Sequence, residues 1–184
     1  TSSHRSIKVP VMFYHIVRPH TPGESKYQDL YDVTPGLLDR HLSYLEREGY
    51  TTIEMRDVIA YWEGKTLALP KHPVMLTFDD GWKSQIEYAL PVLEKHHAKA
   101  VFYIFTNPID RKNPRWMSWE DVRALDHAGF EIGSHTLSHP YLTKITEDRE
   151  LEHEVVMSKR RIEEELGHTI DAFAYPFGAK NERV

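Results

Sequence analysis

The 184-residue chain contains no cysteine, which excludes disulfides, thiol catalysis and thiolate metal sites, so any metal has to be held by nitrogen and oxygen. No apolar run approaches the roughly 18 residues that a membrane-spanning helix needs. The opening TSSHRSIKVP lacks the apolar core of a signal peptide. Basic charge is not in excess, since 23 Lys and Arg stand against 28 Asp and Glu for a formal net charge of -5. Nucleic-acid binders carry a basic face, so no nucleic-acid partner is expected. There is no low-complexity tract, no short-period repeat and no glycine-rich dinucleotide loop. With 40% hydrophobic and 28% charged residues, the chain reads as an ordinary globular protein, one domain over residues 1–184. Nothing in it sets an oligomeric state.

What is there is an alternation of short apolar runs and amphipathic stretches. VPVMFY, Val9 to Tyr14, reads as a first strand. Thr34 and Pro35 open a helix with Leu38, Leu42 and Leu45 on one face and Gly49 at its stop. Tyr50 to Ile53 is a second strand, and Met55, Val58, Ile59 and Trp62 then repeat at helical spacing. Val74 to Phe78 is a third strand, followed by a helical stripe of Ile86, Leu90 and Leu93; Ala100 to Phe105 is a fourth. Ser118 and Asp121 form a capping box for a helix that stops at Gly129, before a fifth strand from Phe130 to Ser134. A long helix opens at Thr146 and closes at Gly167, and Ala172 to Tyr175 is a sixth strand. This alternation predicts an α/β fold of parallel strands, either a barrel or an open sheet.

The polar residues are placed informatively. His15, Asp79, Asp80, His135 and the pair Pro176 and Phe177 lie just past the C-terminal ends of different strands. In a parallel barrel that rim carries the active site. Asp79 and Asp80 repel each other unless a turn solvates them or a cation lies among them. His135 and His139, in HTLSH, are spaced i, i+4, which puts both rings on one face if the chain turns helical after Ser134. Two histidines and a carboxylate make the donor set of a catalytic zinc site, with a position left for water or substrate. One aspartate would then be a ligand and the other would take a proton from water. The plainer alternatives are a DDG turn and two exposed histidines.

Three segments in order, TFDDG (Thr77 to Gly81), SHTLSHP (Ser134 to Pro140) and YPFG (Tyr175 to Gly178), resemble the motifs of the polysaccharide deacetylases, the NodB-homology group or carbohydrate esterase family 4. The likeness covers most of the chain from Val9; the first two motifs together are specific, and the third alone is weak. The resemblance implies that Asp79 is the catalytic base and that Asp80, His135 and His139 ligate a divalent metal, most often Zn2+, with Co2+ or Ni2+ as alternatives. It implies that the backbone amide of Phe177, beside Pro176, helps hold the oxyanion. The implied reaction is removal of N-acetyl groups from an N-acetylglucosamine-containing polysaccharide, with an extracellular or cell-envelope location. PVMFYHIV is also similar to the subgroup acting on poly-N-acetylglucosamine of biofilm matrices, which brings His15 to the rim; a structural histidine at a strand end is the plainer reading.

Ala174 stands where many relatives have an arginine that orients the catalytic aspartate, which some biofilm-type members also lack. The family's general-acid histidine, in a Leu-x-His context well after the third motif, has no counterpart, because LDH (Leu125 to His127) falls earlier and inside a helix. The alternatives are a chain truncated before its last strands, a substitute acid such as His15, or a glycan-binding member without turnover. Truncation is the expectation, and with it a distorted or incomplete (β/α) barrel of parallel strands. An O-acetyl esterase of the xylan type is the alternative activity, since ester cleavage needs less leaving-group protonation. Tyr14, Trp82, Tyr103, Trp116 and Trp119 are candidates for stacking on sugar rings, with Trp116 and Trp119 reading better as packing residues. The acidic stretch EDRELEHE, 147–154, reads as a solvated helix face.

Overall fold

The computed structural model describes residues 7–21, 23, 32–66 and 68–184; most of the loop expected after the first strand lies outside them. The elements in chain order are β1 (Val11–Tyr14), β2 (Ile16–Val17), β3 (Asp32–Val33), α1 (Pro35–Arg47), β4 (Thr51–Ile53), α2 (Met55–Trp62), β5 (Pro73–Asp80), α3 (Leu90–Lys95), β6 (Val101–Ile104), α4 (Asn107–Asp110), α5 (Trp119–His127), β7 (Glu131–Ser134) and α6 (Asp148–Leu166). A five-stranded sheet runs β1-β5-β6-β7, with β4 also pairing β5, and every pairing in it is parallel. β2 and β3 form a separate parallel pair.

Period-two alternation along the strands divides the core into two layers. Val74, Leu76 and Phe78 of β5 join Phe102 and Ile104 of β6 against the helices, where Leu38, Leu42, Leu93, Leu125 and Ile162 are buried. Met75, Val101 and Tyr103 face the other way, with Ile53 and Ala172. Burial on both faces is why these strands read as continuous apolar runs. Tyr14, Phe78 and Phe102 stack across β1, β5 and β6 with centroids 5.2 and 5.0 Å apart. Such pairs add about 0.5–1.5 kcal/mol each beyond area burial.

The helix caps expected at Thr34 and Ser118 form. The Thr34 hydroxyl accepts from Leu37 N at 3.1 Å at the start of α1. Ser118 and Asp121 exchange bonds at the start of α5, Asp121 N to Ser118 Oγ at 3.2 Å and Ser118 N to Asp121 Oδ2 at 2.7 Å.

Two expectations are corrected. The helix after β5 begins as a π-turn, Gln85–Ala89, before α3. Pro91 has no N–H to donate four residues back to Glu87, and the chain widens there. The sixth strand at Ala172 to Tyr175 is reduced to a single bridge between Ser134 and Phe173. Ser134 N donates to Ala172 O at 2.9 Å and Ala174 N to Ser134 O at 3.0 Å. The ladder then stops, because the His135 imidazole takes the Ala174 carbonyl at 2.8 Å and Pro176 has no N–H.

Gly133 is what lets this segment close on β7. A Cβ there would lie 2.5 Å from the Tyr103 ring and 3.0 Å from the Ala172 carbonyl. Gly133→Ala is therefore expected to destabilise the protein by about 1–3 kcal/mol, the usual cost of overpacking, read as a lower denaturant midpoint with unchanged slope.

Candidate active site and metal centre

β5 ends in the two aspartates, with Asp79 beside Tyr103 and Asp80 beside Ile104 in the ladder to β6. Strict alternation would send the neighbouring side chains to opposite faces of the sheet. Left-handed backbone at Asp80 (φ 75°) and Gly81 (φ 71°) breaks the alternation and turns the Asp80 carboxylate toward the histidines. Gln85, buried in the π-turn, ties this end down: its Nε2 donates to the carbonyls of His15 at 2.6 Å and Asp79 at 2.7 Å.

The HTLSH segment is not helical, contrary to the geometry expected from its spacing. His135 continues from β7, its N–H donating to Ile104 O at 2.8 Å, and the chain then reverses through left-handed Thr136 (φ 75°) and His139 (φ 61°). Buried Thr136 accepts from His139 N at 3.0 Å through its hydroxyl. Glu154 of α6 accepts from Leu137 N and Ser138 N, both at 3.0 Å, and from the Ser138 hydroxyl at 2.6 Å. This carboxylate belongs to the acidic stretch read as a solvated face, and it organises the loop instead. Among the described residues, four of the six non-glycine positions with positive φ are Asp80, Thr136, His139 and Phe177. Such backbone costs of order 1–3 kcal/mol per residue and concentrates where function holds it.

The converged side chains suit a metal. Ligand atoms of Asp80, His135 and His139 lie within 4.8 Å of one another. The two Nε2 atoms are 3.1 Å apart, and they stand 3.7 Å (His135) and 3.3 Å (His139) from Asp80 Oδ1. Donation from His135 Nδ1 to the Ala174 carbonyl fixes the tautomer that leaves Nε2 with its lone pair toward the cluster. Burial pushes the His135 pKa down to about 4 and also lowers that of His139, which keeps both rings in the neutral, ligating form. Oδ1 of Asp80 and Oδ1 of Asp79 are buried without a hydrogen-bond partner, a costly arrangement unless a cation compensates it. Two neutral imidazoles and one carboxylate fit a divalent cation of the zinc type. Burial, and then the charge of Asp80, push the Asp79 carboxyl up to about 7.

These groups line a cavity of about 730 Å3 together with Phe13, His15, Trp82, Tyr175 and Phe177. His15 meets Phe13 edge-on with centroids 5.8 Å apart. Pro176 is buried and starts the turn that carries Phe177 (φ 60°). Of the aromatics considered for sugar stacking, Tyr14 and Tyr103 are buried in the core and cannot serve. Phe13, 66% exposed, and Phe177, 55% exposed, are the apolar faces at the cavity. Phe13 was missed because it alternates with buried Tyr14 in a strand that reads as core.

Residues 67–184 match the profile of the family described as polysaccharide deacetylase. The chain belongs to this family. It is 26% identical over 181 residues to YxkH of Bacillus subtilis, covering 96% of this chain and 59% of that protein. It is also 26% identical over 190 residues to the poly-beta-1,6-N-acetyl-D-glucosamine N-deacetylase of Staphylococcus epidermidis, covering 92% of this chain and 64% of that enzyme. This polysaccharide deacetylase chain thus spans about six tenths of the length of the two curated relatives, 59% and 64%. Its fold matches the Streptococcus pyogenes deacetylase PplD, solved in complex with acetate, with a TM-score of 0.84 at 26% identity over 96% of this chain and 76% of that one. Among the described residues of the deacetylase chain, no helix is long and apolar enough to cross a membrane.

Proposed function

We propose that the protein is a divalent-metal-dependent hydrolase that removes N-acetyl groups from an N-acetylglucosamine-containing polysaccharide. The observation that carries this reading is the meeting of Asp79 with the Asp80, His135 and His139 cluster at one wall of the cavity. Asp80, His135 and His139 would hold a divalent cation, Zn2+ by their donor set and replaceable by Co2+ or Ni2+, which would supply Lewis acidity for the acetyl carbonyl and for nearby water. Asp79 accepts the proton of the attacking water and, then a carboxylic acid, can return it to the leaving nitrogen, so that the C–N bond breaks to give acetate and a free amino sugar. Ala174 holds the His135 ring in its tautomer through its backbone carbonyl. Phe177, turned toward the cavity, offers its backbone N–H to the developing oxyanion, and Phe13 offers a face for a sugar ring. The name of the Staphylococcus epidermidis relative supports the N-acetylglucosamine polymer as substrate, and with it a place at the cell envelope or outside the cell.

Acetate release tests this. With zinc present, the protein is expected to release acetate from N-acetylglucosamine oligomers and not from O-acetylated xylan. Release from the xylan alone would make it an esterase, and zinc binding with no release from either would leave a glycan-binding protein.

A further inference from the structure

The structure assigns Trp82 the role of positioning residue for Asp80, holding one carboxylate oxygen so that only the other faces the histidine pair. This rests on the reading of Asp80, His135 and His139 as a metal site. The indole Nε1–H donates to Asp80 Oδ2 at 3.0 Å, while Oδ1 is buried, has no hydrogen-bond partner and lies 3.3 Å from His139 Nε2. The two oxygens therefore have different tasks. Because Asp80 sits in left-handed backbone at a strand end, its rotamer is not set by the sheet, and the indole N–H supplies the missing constraint.

The indole is itself held. It stacks on Trp116 with centroids 4.6 Å apart and planes 22° apart, and the two tryptophans form an antiparallel backbone bridge. Lys83 N donates to Arg115 O and Met117 N to Gly81 O, both at 2.9 Å. Phe105 meets Trp116 edge-on at 6.0 Å and also packs on the His139 ring at 5.3 Å. A closed circuit of contacts thus runs from Asp80 through Trp82, Trp116 and Phe105 to His139. Second partners of ligating groups are typically worth 10- to 100-fold in metal affinity.

The same N–H distinguishes a carboxylate from a carboxamide. In Asp80→Asn the amide oxygen would accept from the indole, which turns the NH2 group, without a lone pair to offer, toward the histidines. Without the indole N–H the amide is free to flip and face them with its oxygen.

Zinc affinity, measured by competition with a chromophoric chelator, tests the assignment. Trp82→Phe keeps a ring on Trp116 and removes only the N–H; it is expected to bind zinc about 10- to 100-fold more weakly while its circular dichroism stays that of the wild type. Trp82→Leu, which has no hydrogen-bond donor in its side chain, serves if the phenylalanine variant does not fold. Asp80→Asn should lose several-fold less affinity in the Trp82→Phe background than in the wild type, a coupling that a merely structural role would not produce. Wild-type zinc affinity in Trp82→Phe, or equal Asp80→Asn losses in both backgrounds, would overturn the assignment. A wild-type protein that takes up no zinc at all would remove the metal site itself, a separate result.

Discussion

Asp79→Asn is expected to bind zinc like the wild type and to release acetate about 10²- to 10⁴-fold more slowly, the range that a lost general base accounts for. The carboxamide is nearly isosteric and cannot take a proton. Asp79 lies next to the ligand cluster, with one oxygen buried and unpartnered, so its substitution removes a proton acceptor and leaves the donors Asp80, His135 and His139 in place. The loss should appear in kcat rather than in KM, since the proton moves only in the transition state.

The same variant has a stability signature. Burial and the neighbouring Asp80 raise the folded carboxyl to about 7 from its ordinary 3.8. A carboxyl raised by folding opposes the fold once the unfolded chain ionises. The penalty grows from about pH 4, is complete above about pH 7, and is absent well below pH 4. In chelator, Asp79→Asn should therefore be more stable than the wild type at pH 8, by about 1–3 kcal/mol after allowance for residual solvation, and no more stable at pH 3. Denaturant unfolding at the two pH values measures this. A variant less stable than the wild type at pH 8 would contradict it.

Asp80→Asn is expected to fail in the opposite way, through binding. The anionic ligand is lost and the amide nitrogen is steered toward the histidines, so zinc affinity should fall by more than the 10- to 100-fold that supporting residues are worth. Turnover at ordinary zinc concentrations should be lost with it and return in part when zinc is raised, whereas Asp79→Asn should not respond to added zinc. With the Asp80 charge gone, the Asp79 carboxyl should also titrate lower, because that charge is the second cause of its upward shift. The two adjacent aspartates are thus separable by one chelator titration and one acetate assay. Equal zinc affinities of the two variants would contradict the division of roles.

The parallel α/β fold was legible because its signals are local. Leu38, Leu42 and Leu45 repeat at helical spacing and are buried, and the apolar runs of β5 and β6 carry their own periodicity. The candidate triad of Asp80, His135 and His139 could be picked out by residue type and order, but the geometry that brings the three side chains together could not. HTLSH suggested a helical face, and the rings converge instead through left-handed Thr136 and His139, a conformation held by Glu154 from a helix distant in sequence. A signal for Glu154 existed: it lies four and eight residues before Ser158 and Ile162, both buried on the inner face of α6. The Trp82 bond to Asp80 carried no such signal, since only the backbone turn at Asp80 brings indole and carboxylate together. Likewise Ala172 to Tyr175 has the composition of a strand, and the contest for the Ala174 carbonyl, with Pro176 just beyond it, cuts the pairing to a single bridge.

Asp80, His135 and His139 are expected to bind a divalent cation. Anomalous scattering from crystals grown with zinc tests it most directly. The expected result is one peak bonded to His135 Nε2, His139 Nε2 and a single oxygen of Asp80, absent in Asp80→Asn. A zinc-grown crystal with no peak among these three residues would contradict the account.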